Sequence, residues 1–88
     1  MNWEQRFSAL IDLAGDEWDA AHDWLEQEWV AAYTAAFVQI AVSRGWRRDD
    51  AETWPVGIAE EAFIEAYHYN WDPWRAAEAD VIDCEEQL

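Results

Sequence analysis

Between Asp16 and Arg44 the chain contains neither glycine nor proline. A breaker-free run of 29 residues folded as one helix would measure roughly 43 Å at 1.5 Å per residue. Gly45 follows at once and supplies a C-terminal stop, with Arg44 suited to the negative end of the helix dipole. The second half of the run, Val30 to Val42 (VAAYTAAFVQIAV), is apolar on nearly every side, broken only by Thr34 and Gln39. A helix apolar all round is a buried one. This stretch is well short of the roughly 20 residues that cross a bilayer, and Glu26 and Glu28 press on one end. It therefore predicts the core helix of a small bundle and no membrane span. The first half is two-faced: Trp18, His22, Leu25, Trp29, Ala32 and Ala36 fall on one side, Asp16, Asp19, Asp23 and Glu26 on another.

The flanks read as further helices. Asn2 and Gln5 have capping-box spacing, and Trp3, Phe7, Leu10, Ile11 and Ala14 form a stripe that ends at Gly15, predicting a first helix over Trp3 to Ala14. Asp16 is placed to cap the long helix. Asp49 and Glu52 have the spacing of a second capping box and predict a short helical turn. Pro55 suits a first helical position, and Ala59, Ala62, Phe63, Ala66 and Tyr67 mark a core face, predicting a helix from Pro55 to about Tyr69. Asp72 followed by Pro73 opens a last helix that runs to roughly Glu85, with Trp74, Ala77, Val81 and Cys84 at helical spacing. No strand pattern or repeat is visible. The expectation is one all-α domain, a bundle of about four helices around a long central one.

Eighty-eight residues bury only about 60–65% of their unfolded surface, so such a domain needs extra bulk. Eight tryptophans, three tyrosines and three phenylalanines supply it. Trp3, Trp18, Trp29 and Trp74 fall on the stripes and read as core. Trp24, Trp46, Trp54 and Trp71 lie off the stripe or near helix ends, where surface anchors and hinge packing are equally open readings. One cysteine, Cys84, allows no internal disulfide, and the N-terminus lacks the basic-then-apolar pattern of a secretion signal; both point to the cytoplasm.

The charge is the second constraint. Twenty acids against five arginines, with no lysine, give −15. Phosphate backbones and anionic membranes would repel such a chain, while basic surfaces would attract it. Solubility alone asks for a net charge of magnitude about 2–8 in a small domain. Asp16, Asp19, Asp23 and Glu26 are spaced three, four and three apart, a single row in which each like pair costs about 0.2–0.5 kcal/mol. Glu60, Glu61 and Glu65 add a second set, and Glu78, Asp80, Asp83, Glu85 and Glu86 a third. With so few arginines these faces should find little internal pairing, whereas Arg44, Arg47 and Arg48 should be neutralised by Asp49, Asp50 and Glu52 beside them. One reading is a set of solvated faces. The other is mimicry of a phosphate backbone, because carboxylates three or four apart sit about 5–6 Å from one another, and basic proteins would bind such a row in place of DNA.

In size, acidity and these carboxylate rows the chain resembles the small phage-encoded anti-CRISPR proteins, several of which block DNA entry to an RNA-guided nuclease complex. The resemblance implies a non-catalytic inhibitor whose partner is a basic protein surface, a CRISPR effector complex, that normally grips target DNA or its flanking motif. The residues expected to meet it are Asp16, Asp19, Asp23, Glu26, Glu60, Glu61 and Glu65, with Trp24, Trp46, Trp54 and Trp71 as anchors. The rival reading is an interaction module, such as an immunity protein, antitoxin or adaptor, that binds through a tryptophan-lined apolar patch.

Catalytic and metal chemistry find little support. Asp19-x-x-His22 and Glu65-x-x-His68 have the spacing of di-iron bundle ligands. One motif carries Asp, the first and last helices offer no inward Glu, and a fold about Gly45 to Trp54 would set His68 away from His22. Acidic neighbours disfavour the Cys84 thiolate, and Ser8 and Ser43 have no partner pattern. No cofactor or metal is expected.

Overall fold

The computed structural model describes residues 2–87. Among them are five α-helices and no strand, so the all-α expectation holds, with a long central helix as the spine. Helix α1 (Trp3–Ile11) opens with the reciprocal capping box: Gln5 N–H donates to Asn2 Oδ1 at 2.8 Å, and Asn2 N–H to Gln5 Oε1 at 3.1 Å. It stops three residues short of Ala14, because the Asp12 N–H turns back to the Ala9 and Leu10 carbonyls and closes a tight last turn. Helix α2 (Gly15–Ser43) follows, and its cap position is Ala14, not Asp16. Asp16 lies inside the first turn, where with Glu17 it still meets the positive end of the dipole.

Trp29, Tyr33 and Phe37 form the fully buried ridge of α2 at i, i+4 spacing, with ring centroids 5.4 and 6.0 Å apart. Leu25, Ala36, Ile40 and Ala41 extend that face. Helix α5 (Pro73–Gln87) begins as expected, the Asp72 carboxylate accepting the Trp74 N–H at 2.9 Å. It runs parallel to α2, pinned at three levels. The Trp29 indole donates to the Trp71 carbonyl (3.0 Å), the Tyr33 hydroxyl to Asp80 Oδ2 (2.5 Å), and Arg44 grips both oxygens of Glu85 (2.7 Å each). Its packing face is Ala76, Ala77, Val81 and Cys84. Small alanines bring the backbones close and leave Trp74 outside, 43% exposed rather than in the core. Trp18 is likewise exposed: it stacks on His22, one helical turn beyond the point where Phe63 covers α2.

The segment from Arg48 to Tyr69 departs furthest from expectation. Helix α3 (Arg48–Thr53) is capped at Arg47 without a side-chain bond, so Asp49 and Glu52 form no capping box; Glu52 pairs with Arg48 instead. A 3-10 turn (Trp54–Gly57), helix α4 (Ala59–Ile64) and a second 3-10 turn (Ala66–Tyr69) replace the single helix from Pro55 to Tyr69. The breaks fall at Ile58 (φ −123°) and Glu65 (φ −96°). Gly57 costs about 1 kcal/mol in a helix interior, and Tyr67, His68 and Tyr69 are weak helix formers. The second 3-10 turn also moves the core face. At three residues per turn, Ala66 is followed inward by Tyr69 and not Tyr67, which is 55% exposed. Asn70 and Trp71 then take left-handed conformations (φ 53° and 65°) that swing the chain into α5.

Nor is the Val30–Val42 stretch enclosed all round. Ala31, Ala35 and Val42 are exposed, because the elements that an 88-residue chain can supply cover α2 on one side only. The molecule measures 43 × 21 × 20 Å. No helix among the described residues is long and apolar enough to cross a membrane.

Candidate functional site: two acidic clefts

Helix α4 lies antiparallel to α2 and α5 and presents carboxylates to both sides. On one side Glu60 faces Asp23 and Glu26 of α2 across a cleft of about 310 Å³, with Gln27 and Val30 in its wall. On the other, Glu61 and Glu65 face Asp80 and Asp83 of α5 across a cleft of about 350 Å³. Ile58, Ala62 and Cys84 line this second cleft, and Trp54 stands beside it, 37% exposed. Rows that lie apart in the sequence are thus joined in pairs by folding.

The electrostatics of the second cleft carry the mark of crowding. Burial lifts the Asp80 carboxyl above its usual range, and Asp83, Glu65 and Glu61 lift it further; only the Tyr33 hydrogen bond pulls it down. Burial and the charges of Asp80, Asp83 and Glu65 raise the Tyr69 phenol. Burial and Asp80 raise the Cys84 thiol, which disfavours its thiolate.

Arginine does little to relieve these clefts. Among the described residues Arg6 pairs with Glu28, Arg44 with Glu85, Arg48 with Glu52, and Arg75 lies 3.8 Å from Asp72. None of these pairs includes Asp16, Asp19, Asp23, Glu26, Glu60, Glu61 or Glu65. Two expectations change. Glu85 does not belong to the unpaired set, since it is chelated by Arg44 and also accepts from the Trp46 indole (3.1 Å). Arg44 accordingly reaches across to α5 and is not neutralised by its sequence neighbours, whereas Arg48 is.

His22 sits with its Nδ1 3.6 Å from Asp23 and 3.9 Å from Glu26, not with Asp19. These three groups come within 4.8 Å of one another on an open surface, an arrangement common without any ion. His68 does not join them; it stacks on Tyr67 with centroids 4.1 Å apart. The two spaced motifs are not brought to one site.

The four candidate anchors divide. Trp46 is half-buried, edge-on to Phe37 (5.7 Å) and tied to Glu85, and Trp71 is half-buried and stacked on Phe7 (4.4 Å). Both brace the bundle from within, the hinge-packing alternative. Trp24 (63% exposed) and Trp54 remain outward. Trp24 borders a shallow groove with Leu10, Leu13 and Ala21, and Ile11 nearby is 81% exposed. Asp80 and Asp83 are the site residues that the separate helix faces did not single out. The local signal was present, Glu61 and Glu65 one turn apart and Asp80 and Asp83 likewise, but nothing in the sequence says which faces meet. Comparison of the chain with protein-family models, curated proteins and solved structures found no match.

Proposed function

We propose that this protein is a non-catalytic inhibitor that occupies a basic, nucleic-acid-binding surface of a protein complex, as an anti-CRISPR that blocks target DNA or its flanking motif would. The observation that supports it is the pairing of carboxylates across α4 without arginine between them. Folding has a cost here, since like charges are held together in two clefts, and Asp80 is pushed toward protonation. Lysine or arginine side chains of a partner would relieve that cost on binding. Along α2, Asp16 to Glu26 covers about 15 Å at 1.5 Å per residue, a length over which a DNA-binding groove meets several phosphates. Trp54 beside one cleft offers a ring face for a guanidinium.

The test begins with capture of host proteins on the immobilised chain, followed by measurement of the purified complex against salt and duplex DNA. Binding that weakens steeply with salt and is displaced by duplex DNA is expected. Reversal of Asp19, Asp23 and Glu26 together should remove most of the affinity, and reversal of Glu60 should deepen the loss. Salt-insensitive binding refutes mimicry.

A second reading has its own observation, exposed Trp24 in the wall of a groove with Leu10, Leu13 and Ala21. An immunity protein, antitoxin or adaptor would bind through this groove, and Trp24→Ala would then cost more affinity than any charge reversal.

A further inference from the structure

Ile64 is 71% exposed, although its helix has carboxylates on both flanks. On α4 the buried Ala59, Ala62 and Phe63 face inward. At about 100° per residue, Ile64 falls between Glu60 and Glu61 on the opposite side. Glu60 lines one acidic cleft and Glu61 the other, so Ile64 stands on the crest between them. Tyr67, one turn on, and Val56, in the turn before α4, are exposed as well. The clefts on either side keep their charge: none of Asp23, Glu26, Glu60, Glu61, Glu65 and Asp83 has an arginine partner among the described residues. Solubility and phosphate mimicry both call for polar groups on such a crest, and neither accounts for an apolar one. An apolar centre with a charged rim is the anatomy of a protein interface.

We infer that α4 is the docking site for a basic amphipathic helix of the partner protein. The helix lies along the crest, its apolar stripe on Ile64 and Tyr67 and its arginines or lysines, on both borders of the stripe, reaching into the two clefts. This rests on the reading of the clefts as the partner-binding face and adds what that face recognises. Charge complementarity sets the borders, since cations are called for on both sides of the crest and a second copy of this chain would be repelled from it. The width selects a helix. Packed helices lie about 8–10 Å apart, so two clefts, each midway between α4 and a neighbour, are themselves about 8–10 Å apart. A helix with its side chains is about 10–12 Å across, and the cations that border its stripe span that distance. Neighbouring strands, about 4.8 Å apart, would not. From Ala59 to Tyr69 the segment measures about 16–20 Å, which matches about three or four turns of such a helix. Trp54, beside the second cleft, gives one border cation a ring face to lie on.

The experiment is calorimetric titration of the full chain, at low and moderate salt, with two synthetic peptides of about 18 residues and the same leucine and arginine content. One carries leucines at i, i+3, i+4 and i+7 with arginines on both borders; in the other the order is scrambled. The patterned peptide should bind at least about tenfold more tightly than the scrambled one, and Ile64→Ser should remove most of that advantage. The Ile64 side chain lies outside the core, so the helical circular dichroism of the variant should match the parent's. Glu60→Gln and Glu61→Gln, one for each cleft, should each weaken the patterned peptide, whereas Val42→Ser, exposed on α2, should leave both affinities unchanged. Equal binding of the two peptides, fading with salt, overturns the inference and leaves the acidic clefts as a general cation-binding face. No binding of either peptide at low salt overturns both readings. A loss confined to one of the two glutamates overturns the two-border arrangement. An advantage that survives Ile64→Ser and is lost in Trp24→Ala assigns the helix to the groove beside α1 and overturns the inference too.

Discussion

Tyr33→Phe removes one oxygen from the centre of the molecule and isolates the strongest link between core and charge. The Tyr33 ring is fully buried, and its hydroxyl donates to Asp80 Oδ2 at 2.5 Å. A hydrogen bond to a charged acceptor is worth about 1.5–3 kcal/mol. Asp80 is half-buried, so water recovers part of this, and the expected loss is about 1–2 kcal/mol at neutral pH. For a domain of this size that lowers the Tm by about 5–15 °C. The pH dependence is more telling. Asp80 has a carboxyl raised in the fold, so the folded state holds its proton more tightly than the unfolded chain. The stability this proton contributes is fully present below the unfolded value of about 3.8 and is lost as pH rises through the higher folded value. Without the Tyr33 donor, Asp80 rises further and the loss toward neutral pH deepens. Thermal unfolding followed by circular dichroism should show a gap between Tyr33→Phe and the parent that widens from about pH 4 to about pH 7. In an Asp80→Asn background the same change should cost about 0.5–1.5 kcal/mol, the worth of a neutral hydrogen bond, and the pH dependence should flatten. A Tyr33→Phe protein that melts with the parent at both pH values would refute the reasoning.

Gly45 holds φ at +96° where α2 ends, a conformation that side chains rarely adopt, so Gly45→Ala should destabilise by about 1 kcal/mol or more, read from the urea midpoint. Phe63 touches Phe7, His22 and Trp29, and Phe63→Ala should cost about 3–5 kcal/mol, a large fraction of the stability of a domain this small, read from the urea midpoint. Cys84 is buried and its thiol is raised by burial and by Asp80, so a colorimetric thiol reagent should label it far more slowly in the native protein than in urea.

Elements whose signals lie within a few neighbouring residues were legible in the sequence. The Asn2–Gln5 box, the breaker-free run closed by Gly45 and the Asp72–Pro73 start all reappear within a residue or two. What failed depends on which neighbour covers which face. Periodicity put Trp18, Trp29 and Trp74 on stripes alike, but of these only Trp29 is buried, against Phe63 of α4 and the Trp71 carbonyl just before α5. Tyr67 lost its place to Tyr69 because a turn tightened from 3.6 to three residues. The acidic rows were plain as rows; their convergence across α4 required the tertiary pairing of Glu65 with the level of Asp80. Arg44 illustrates the same limit, for its partner lies 41 residues away, past nearer acids.

Helix α1 contains no fully buried residue. It is held by half-buried Trp3, Phe7 and Leu10 and by the Arg6–Glu28 pair at the surface. Little free energy therefore separates its docked state from one in which it swings away while the rest of the bundle stays closed. Such an excursion would bare the rings of Phe63 and Trp71 that Phe7 covers and the edge of Leu25 beneath Leu10. Amide protection should therefore fade at this end of the aromatic core long before it fades along the spine.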